Sequence, residues 1–147
     1  MKEPLWLSRP VVDSIHLDQL REHGGLPGIR DEDALESALS RARNKWEYGE
    51  GRDLAVLAAA YAFGISSSHP YRDGNKRIAF LAMVTFLGLN GREFGASEED
   101  VVVAMVALAS GQLSEKKLAK CNAKCGDEAR AEIKAAMDAL AAKLGTP

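Results

Sequence analysis

The sequence contains few cysteines, few aromatic residues and no excess of either charge. Two of its 147 residues are cysteines, Cys121 and Cys125, and these are too few for a disulfide framework. No histidine lies near them, which argues against a zinc site. The formal net charge of −2 provides no broad basic surface for nucleic acid or for a membrane. We therefore expect a cytoplasmic protein with reduced thiols that binds neither.

Long hydrophobic segments are also missing. The first residues, MKEPLWLSRPVVDS, contain early charges and prolines and lack the apolar centre of a signal peptide. The two uncharged stretches, Leu54–Ile65 and Ile78–Leu89, are too short to cross a bilayer. The chain length suits one domain over residues 1–147, with a core over residues 10–115 and a helical extension over residues 116–147.

Apolar residues recur at helical spacing, and the sequence predicts an all-α protein. Because the two uncharged stretches are apolar on every face, we place them at the centre of a compact helical bundle. Before these stretches, helices are predicted over Asp13–His23 and from a cap at Asp31 to Lys45. After them, a capping box at Ser97 and Asp100 predicts a helix that runs to Ser110. Two more helices are predicted, one capped by Ser114 that continues through Lys116 and one over Asp127–Leu144. Residues 43–53, RNKWEYGEGRD, are predicted to form a loop or short hairpin before the central helices.

One polar segment, Ser66–Asn75, separates the two central helices, and it overlaps the sequence HPYRDGNKR, residues 69–77. A helix that begins near Asn75 presents unpaired N–H groups and the positive end of its dipole, which suit an anion. Gly74 allows the backbone to approach a phosphate closely, and Lys76 and Arg77 add positive charge. The segment therefore predicts a phosphate site.

Two further side chains in this segment suit phosphoryl-type transfer. Asp73 is a candidate ligand for Mg²⁺, which needs only one or two carboxylates when a substrate supplies phosphate oxygens. His69 precedes a proline, which restricts its backbone, and its imidazole is a candidate general base near neutral pH. Each residue type alone is more often structural, and the spacing alone leaves both interpretations open. His16 and His23 are interpreted as surface or capping residues.

The sequence HPYRDGNKR resembles the signature of the Fic/Doc superfamily, HPF-x-[DE]-GN-[GK]-R. GGLPGIRDEDALESAL, Gly24–Leu39, resembles the segment before the core of Doc (death-on-curing) toxins, and FLGLNG, Phe86–Gly91, resembles the end of the helix after the motif. The resemblance covers residues 10–115. It implies the all-helical Fic fold and an enzyme that transfers part of a nucleoside triphosphate, bound with Mg²⁺, to a protein hydroxyl.

The resemblance also implies roles for individual residues. His69 matches the general base and Asp73 the metal-binding acid. The family's anion-binding positions correspond to Gly74, Asn75, Lys76 and Arg77. Lys76 and Arg77 are also candidate catalytic residues. Residues 43–53 fall where the family has a flap that holds the target's main chain, so Trp46, Tyr48 and Gly49 are candidate docking residues. An equally good interpretation is that Trp46 and Tyr48 only cover the hydrophobic core.

Two positions favour the Doc branch of the superfamily. The adenylyl-transferring branch has GNGR-x-x-R, whereas here Lys76 replaces the second glycine and Phe80 the second arginine. Doc resemblance implies a kinase that transfers the γ-phosphate of ATP to elongation factor Tu and halts translation. DGN and Pro70 are more typical of Fic, so adenylyl transfer is the alternative, and a catalytically silent binding module is a third.

The sequence lacks the [ST]-x-x-x-E pattern by which some relatives inhibit themselves. By resemblance, we expect a separate antitoxin protein to restrain the activity.

Overall fold

A computed structural model describes residues 2–49, 52–92, 107, 110–111 and 114–123. Five helices are bounded within these residues, and no strand is found among them. The helices are α1 (Arg9–His23), α2 (Glu32–Glu47), α3 (Leu54–Ser68), α4 (Asn75–Leu89) and α5 (Glu115–Ala123). The all-α prediction is therefore confirmed for the described part of the chain.

Helix α1 begins at Arg9, four residues before the predicted start at Asp13. Pro10 lies in the first turn, where a proline loses no helical hydrogen bond. The helix ends at Gly24, whose positive φ of 73° is readily adopted by glycine and whose N–H donates to the carbonyl of Leu20.

Helix α2 begins as predicted and ends later than predicted. The carboxylate of Asp31 accepts a hydrogen bond of 3.0 Å from the N–H of Ala34, which caps the helix. The helix then continues to Glu47, so the loop or hairpin predicted from Arg43 was wrong for residues 43–47. The indole of Trp46 packs edge-on against Trp6 at 6.3 Å, and this contact favours a further helical turn.

Helices α3 and α4 form the centre of the bundle, as their lack of charge predicted. Asp53 caps α3 by accepting a hydrogen bond from the N–H of Ala55. Helix α3 packs against α2, α4 and α5, while α1 packs against α4. The rings of Tyr61 and Phe86 join α3 to α4 at 5.0 Å. This packing places the polar segment between α3 and α4 at one end of the core.

Helix α5 is capped by Ser114, whose hydroxyl accepts a hydrogen bond from the N–H of Lys117. An ion pair of 2.7 Å between Arg41 and Glu115 fixes α5 to α2. The helix predicted over Asp127–Leu144 lies outside the described residues, as does Cys125. Of the helix predicted from Ser97 to Ser110, only Ala107 and Ser110 are described. None of the described helices is long and apolar enough to span a bilayer.

Candidate active site

The segment HPYRDGNKR lies where α3 ends and α4 begins. His69 stops α3 in the left-handed conformation, with φ of 50° and ψ of 57°. It is the one described non-glycine residue with positive φ. Gly74, also left-handed with φ of 78°, precedes the first residue of α4. These two backbone conformations turn the chain sharply out of α3 and into α4.

Backbone hydrogen bonds fasten this segment to the residues that lead into α2. The carbonyl of Pro70 accepts from the N–H groups of Arg30, at 2.7 Å, and Asp31, at 3.1 Å. The N–H of Arg72 donates to the carbonyl of Gly28, and an isolated antiparallel bridge pairs Ile29 with Tyr71. The candidate base therefore lies in the part of the segment, residues 69–72, that backbone hydrogen bonds hold in place.

The side chain of Arg30 adds a second attachment beside the candidate base. Its Nε donates to the carbonyl of His69 at 2.7 Å, and its Nη2 donates to the carbonyl of Ser68 at 2.8 Å. These carbonyls belong to the end of α3, where helical partners are missing. Sequence reasoning missed Arg30, since nothing local relates it to a histidine 39 positions away.

The His69 side chain is exposed, and its imidazole makes no hydrogen bond within the part of the chain that the structure describes. Its ring nitrogens are therefore open to a ligand or to solvent. An accessible imidazole on a fixed backbone is suited to accept a proton from a bound hydroxyl.

Asn75 holds the shape of the turn with its side chain. Its Oδ1 accepts from the N–H of Tyr71 and its Nδ2 donates to the carbonyl of Tyr71, both at 2.8 Å. The residue is buried, so these bonds are shielded from water. Of the Asn75 groups, the main-chain N–H is the one left for a ligand.

The start of α4 presents free amides. The N–H groups of Asn75, Lys76 and Arg77 have no hydrogen-bond partner among the described residues, and no side chain caps the helix. The Lys76 side chain is exposed beside them. Unpaired amides, the positive end of the helix dipole and a nearby ammonium group together suit a phosphate.

Asp73 points its carboxylate back over the segment. One oxygen accepts from the N–H of Gly74 at 2.9 Å, and the other accepts from the N–H of Leu26 at 3.3 Å. A Cβ on Gly25 would lie 2.8 Å from this second oxygen, so residue 25 must be glycine for the carboxylate to sit there. The described residues include no cluster of three metal-binding side chains. The lone exposed carboxylate fits Mg²⁺, which takes its other ligands from phosphate and water.

Two α1 histidines belong to this site. The Nε2 of His23 lies 2.6 Å from Nη1 of Arg77, which positions the arginine expected to bind phosphate. His16 was expected at the surface or at a cap, and that expectation was wrong: it is 7% exposed and stacks on Tyr71 at 4.2 Å. A signal was present, because His16 follows the buried Val12 by four residues on the same helix face.

The three candidate docking residues lie at the end of α2. Trp46 packs against Trp6, and Tyr48 is 78% exposed. Gly49 follows with a φ of 70°. Tyr48 lines a groove of about 360 Å³ whose wall includes Ser67 and Ser68, the residues before the candidate base. The groove thus connects the end of α2 with the end of α3.

Comparison with known proteins identifies this arrangement. The model of the Fic/DOC family matches residues 6–87, which include α1 to α3, the polar segment and most of α4. The chain belongs to the Fic/DOC family. It is 30% identical to the protein kinase doc of Escherichia phage P1 over 108 residues, which cover 74% of this chain and 85% of that protein. The family and the likeness to Doc inferred from HPYRDGNKR are confirmed.

Proposed function

We propose that the chain is a Doc-like toxin that transfers the γ-phosphate of Mg²⁺-bound ATP to a hydroxyl of a protein. One observation carries the proposal: the free amides at the start of α4 and the accessible imidazole of His69 lie at the two ends of one fixed segment. The first group suits the phosphate and the second suits the proton of the acceptor.

In the proposed reaction, the acceptor oxygen forms a bond to the terminal phosphorus, and the bond from phosphorus to the bridging oxygen breaks. The acceptor proton goes to His69, and the nucleoside diphosphate leaves with its electron pair. The α4 amides, Lys76 and Arg77 hold the phosphate oxygens. Asp73 is the residue that would bind Mg²⁺, whose charge neutralises phosphate oxygens.

Two residues favour a kinase over an adenylyl transferase. Lys76 extends a point charge where the adenylyl-transferring branch has a glycine. Phe80 replaces that branch's second arginine and is 3% exposed within the core. Lys76 supplies positive charge to a single terminal phosphate. Phe80 takes the place of an arginine that would bind further phosphates. The likeness to a relative named as a protein kinase supports the same choice.

The acceptor and the regulator are proposed from the resemblance to Doc toxins. Elongation factor Tu is the proposed acceptor, so the proposed outcome is inhibition of translation in the cytoplasm. A separate antitoxin is the proposed inhibitor. The groove beside Tyr48 offers the protein target a surface that reaches Ser68, the residue before His69.

Incubation with ATP labelled at either the α or the γ position, Mg²⁺ and purified elongation factor Tu tests this proposal. Label from the γ position alone is expected on the factor. The His69→Ala variant should lose transfer by about 100-fold or more, the usual contribution of a general base, while its circular dichroism and Tm stay close to the parent. Ser14→Ala, an exposed change on α1, is the matched control.

Other labelling patterns contradict the proposal in different ways. Label from the α position would establish adenylyl transfer instead. Absence of label on any protein of a cell lysate, together with absence of ATP binding, would support the silent binding module.

A further inference from the structure

The described residues before α1 form neither a helix nor a strand, yet their backbone is held at two points. The N–H of Leu5 donates to Oδ1 of Asn90 at 2.9 Å, and Nδ2 of Asn90 donates to the carbonyl of Leu5 at 3.0 Å. The N–H of Leu7 donates to the hydroxyl of Tyr61 at 3.2 Å, and the Leu7 side chain is buried in the core. The backbone is therefore fixed on both sides of Trp6.

The ring of Trp6 lies between α4 and the end of α2. It stacks on Phe86 of α4, with 6.0 Å between the ring centroids, and it meets Trp46 of α2 edge-on at 6.3 Å. The guanidinium of Arg43, also on α2, lies 5.5 Å from the Trp6 ring. Aromatic pairs and cation–π contacts are favourable only in certain ring orientations. Trp6 thus joins the last turns of α2 to the core in a defined geometry.

Trp46, in turn, contacts the chain on both sides of the other two candidate docking residues. Tyr48 and Gly49 come directly after α2, and Tyr48 is exposed. The guanidinium of Arg52, which lies beyond them in the sequence, is 5.0 Å from the Trp46 ring. The position of the Trp46 ring therefore affects where Tyr48 and Gly49 are presented.

The two tryptophans lie at the rim of the core and not at its centre. Both are only partly buried, whereas the largest fully buried aromatic residues are Tyr61, Tyr71 and Phe86. Loss of the contact between Trp6 and Trp46 should therefore loosen the end of α2 more than it disturbs the centre of the bundle.

We propose that Trp6 is a positioning residue for the protein substrate and acts through Trp46. By fixing the end of α2, it presents Tyr48 and Gly49 to the acceptor protein in one orientation. The inference rests on the proposed function and assigns Trp46 to the support of the docking residues. Because the rings that contact Trp6 belong to Phe86 and Trp46, and not to residues 69–77, ATP binding and the transfer step should be independent of Trp6.

Steady-state kinetics with ATP and elongation factor Tu tests the inference. Trp6→Ala should raise KM for the factor by about three- to tenfold, the range that one aromatic pair corresponds to. The values of kcat and of KM for ATP should stay close to those of the parent, because loss of binding shared by the ground and transition states raises KM alone. Trp6→Phe, which keeps a ring between Phe86 and Trp46, should restore most of the affinity.

A destabilised control separates positioning from general loss of stability. Leu118 is fully buried on α5, so Leu118→Ala should lower Tm. Its KM for the factor should match that of the parent. If Trp6→Ala does not fold, Trp6→Leu takes its place, because leucine keeps an apolar side chain on Phe86 and has no ring for Trp46.

Tryptophan fluorescence measures the support itself and needs neither ATP nor a protein substrate. The chain has two tryptophans, so the Trp6 variants report the emission of Trp46 alone. Acrylamide should quench Trp46 more strongly in Trp6→Ala than in Trp6→Phe, because the alanine variant leaves the Trp46 ring open to solvent on one side.

An unchanged KM for the factor in Trp6→Ala would overturn the inference, as would a fall in kcat in place of a rise in KM. An equal rise in KM in Leu118→Ala would assign the effect to stability alone. Absence of phosphotransfer by the parent would remove the proposed function, and stronger quenching in Trp6→Ala would then still support the fixed end of α2. Equal quenching in Trp6→Ala and Trp6→Phe would remove the positioning role whether or not the parent transfers phosphate.

Discussion

Arg30 shows how much of the site depends on a single side chain. Its guanidinium donates to two carbonyls at the end of α3, that of Ser68 and that of His69 itself. The main-chain N–H of the same residue binds Pro70. One residue before α2 therefore fixes the backbone on both sides of the candidate base.

We expect Arg30→Lys to lower kcat by about tenfold, within the range that misplacement of a reacting group produces, and to leave KM nearly unchanged. Lysine is a point donor and cannot hold two carbonyls in fixed directions. Steady-state kinetics with labelled ATP would measure the change. Arg21→Lys, at an exposed ion pair of 3.9 Å with Asp18, is the control. An unchanged kcat in Arg30→Lys would show that the clamp does not position the base.

For individual residues, the sequence predicts a site whose members are close together along the chain, and it misses contacts between residues that are far apart along the chain. Placing His69, Asp73 and Asn75 at one site needed only their closeness in one segment. The contacts of Arg30 with His69, and of His23 with Arg77, join residues 39 and 54 positions apart. No local pattern encodes such pairs, because they arise only when α2 packs against α3 and α1 packs against α4.

Among the elements, α2 and α3 pack closely at Gly64. A Cβ at this position would lie 3.2 Å from both the Cα and the carbonyl oxygen of Ala38. Backbone atoms cannot rotate aside as the end of a flexible side chain can. The small residues at positions 38 and 64 therefore set the separation of the two helices that carry Tyr48 and His69.

Gly64→Val is expected to lower the free energy of unfolding by about 1–3 kcal/mol, because it overpacks this contact. Urea unfolding followed by circular dichroism would measure the loss. Gly88→Val is the matched control: Gly88 is exposed on α4 with open space around its Cα, so that change should stay within about 0.5 kcal/mol. Equal effects of the two changes would contradict close packing at Gly64.

The helices themselves were largely predictable, and their ends less so. The uncharged runs located α3 and α4, and the aspartate at position 31 located the start of α2. The end of α2 was misjudged because residues 43–53 are polar and contain two aromatic residues and two glycines, which suggested a loop. Trp46 remains helical through its contact with Trp6, and this contact is tertiary.

For the whole molecule, three buried groups predict how stability depends on pH. Burial lowers the pKa of His16 below its ordinary value of 6.5, and burial raises the pKa values of Tyr61 and Tyr71 above 10.0. The unfolded chain therefore binds more protons than the folded one just below pH 6.5 and releases more above pH 10. Stability should be level between these values and fall on both sides.

Urea unfolding across pH 5–11 measures this profile. His16→Phe should flatten the acid limb, because the titrating ring is gone. Tyr61→Phe should reduce the slope of the alkaline limb. It should also lower stability at every pH by about 1 kcal/mol, because the N–H of Leu7 loses its acceptor. If stability still falls below pH 6.5 to the same extent in His16→Phe, another group causes that fall.

Because His69 has a left-handed backbone, the residue that would be most stable at position 69 differs from the residue that the proposed activity needs. A non-glycine residue in this conformation costs roughly 1–2 kcal/mol, so glycine at position 69 would give a more stable protein. That protein would lack the imidazole. Directed evolution scored on folding alone would therefore drift toward inactive variants at this position.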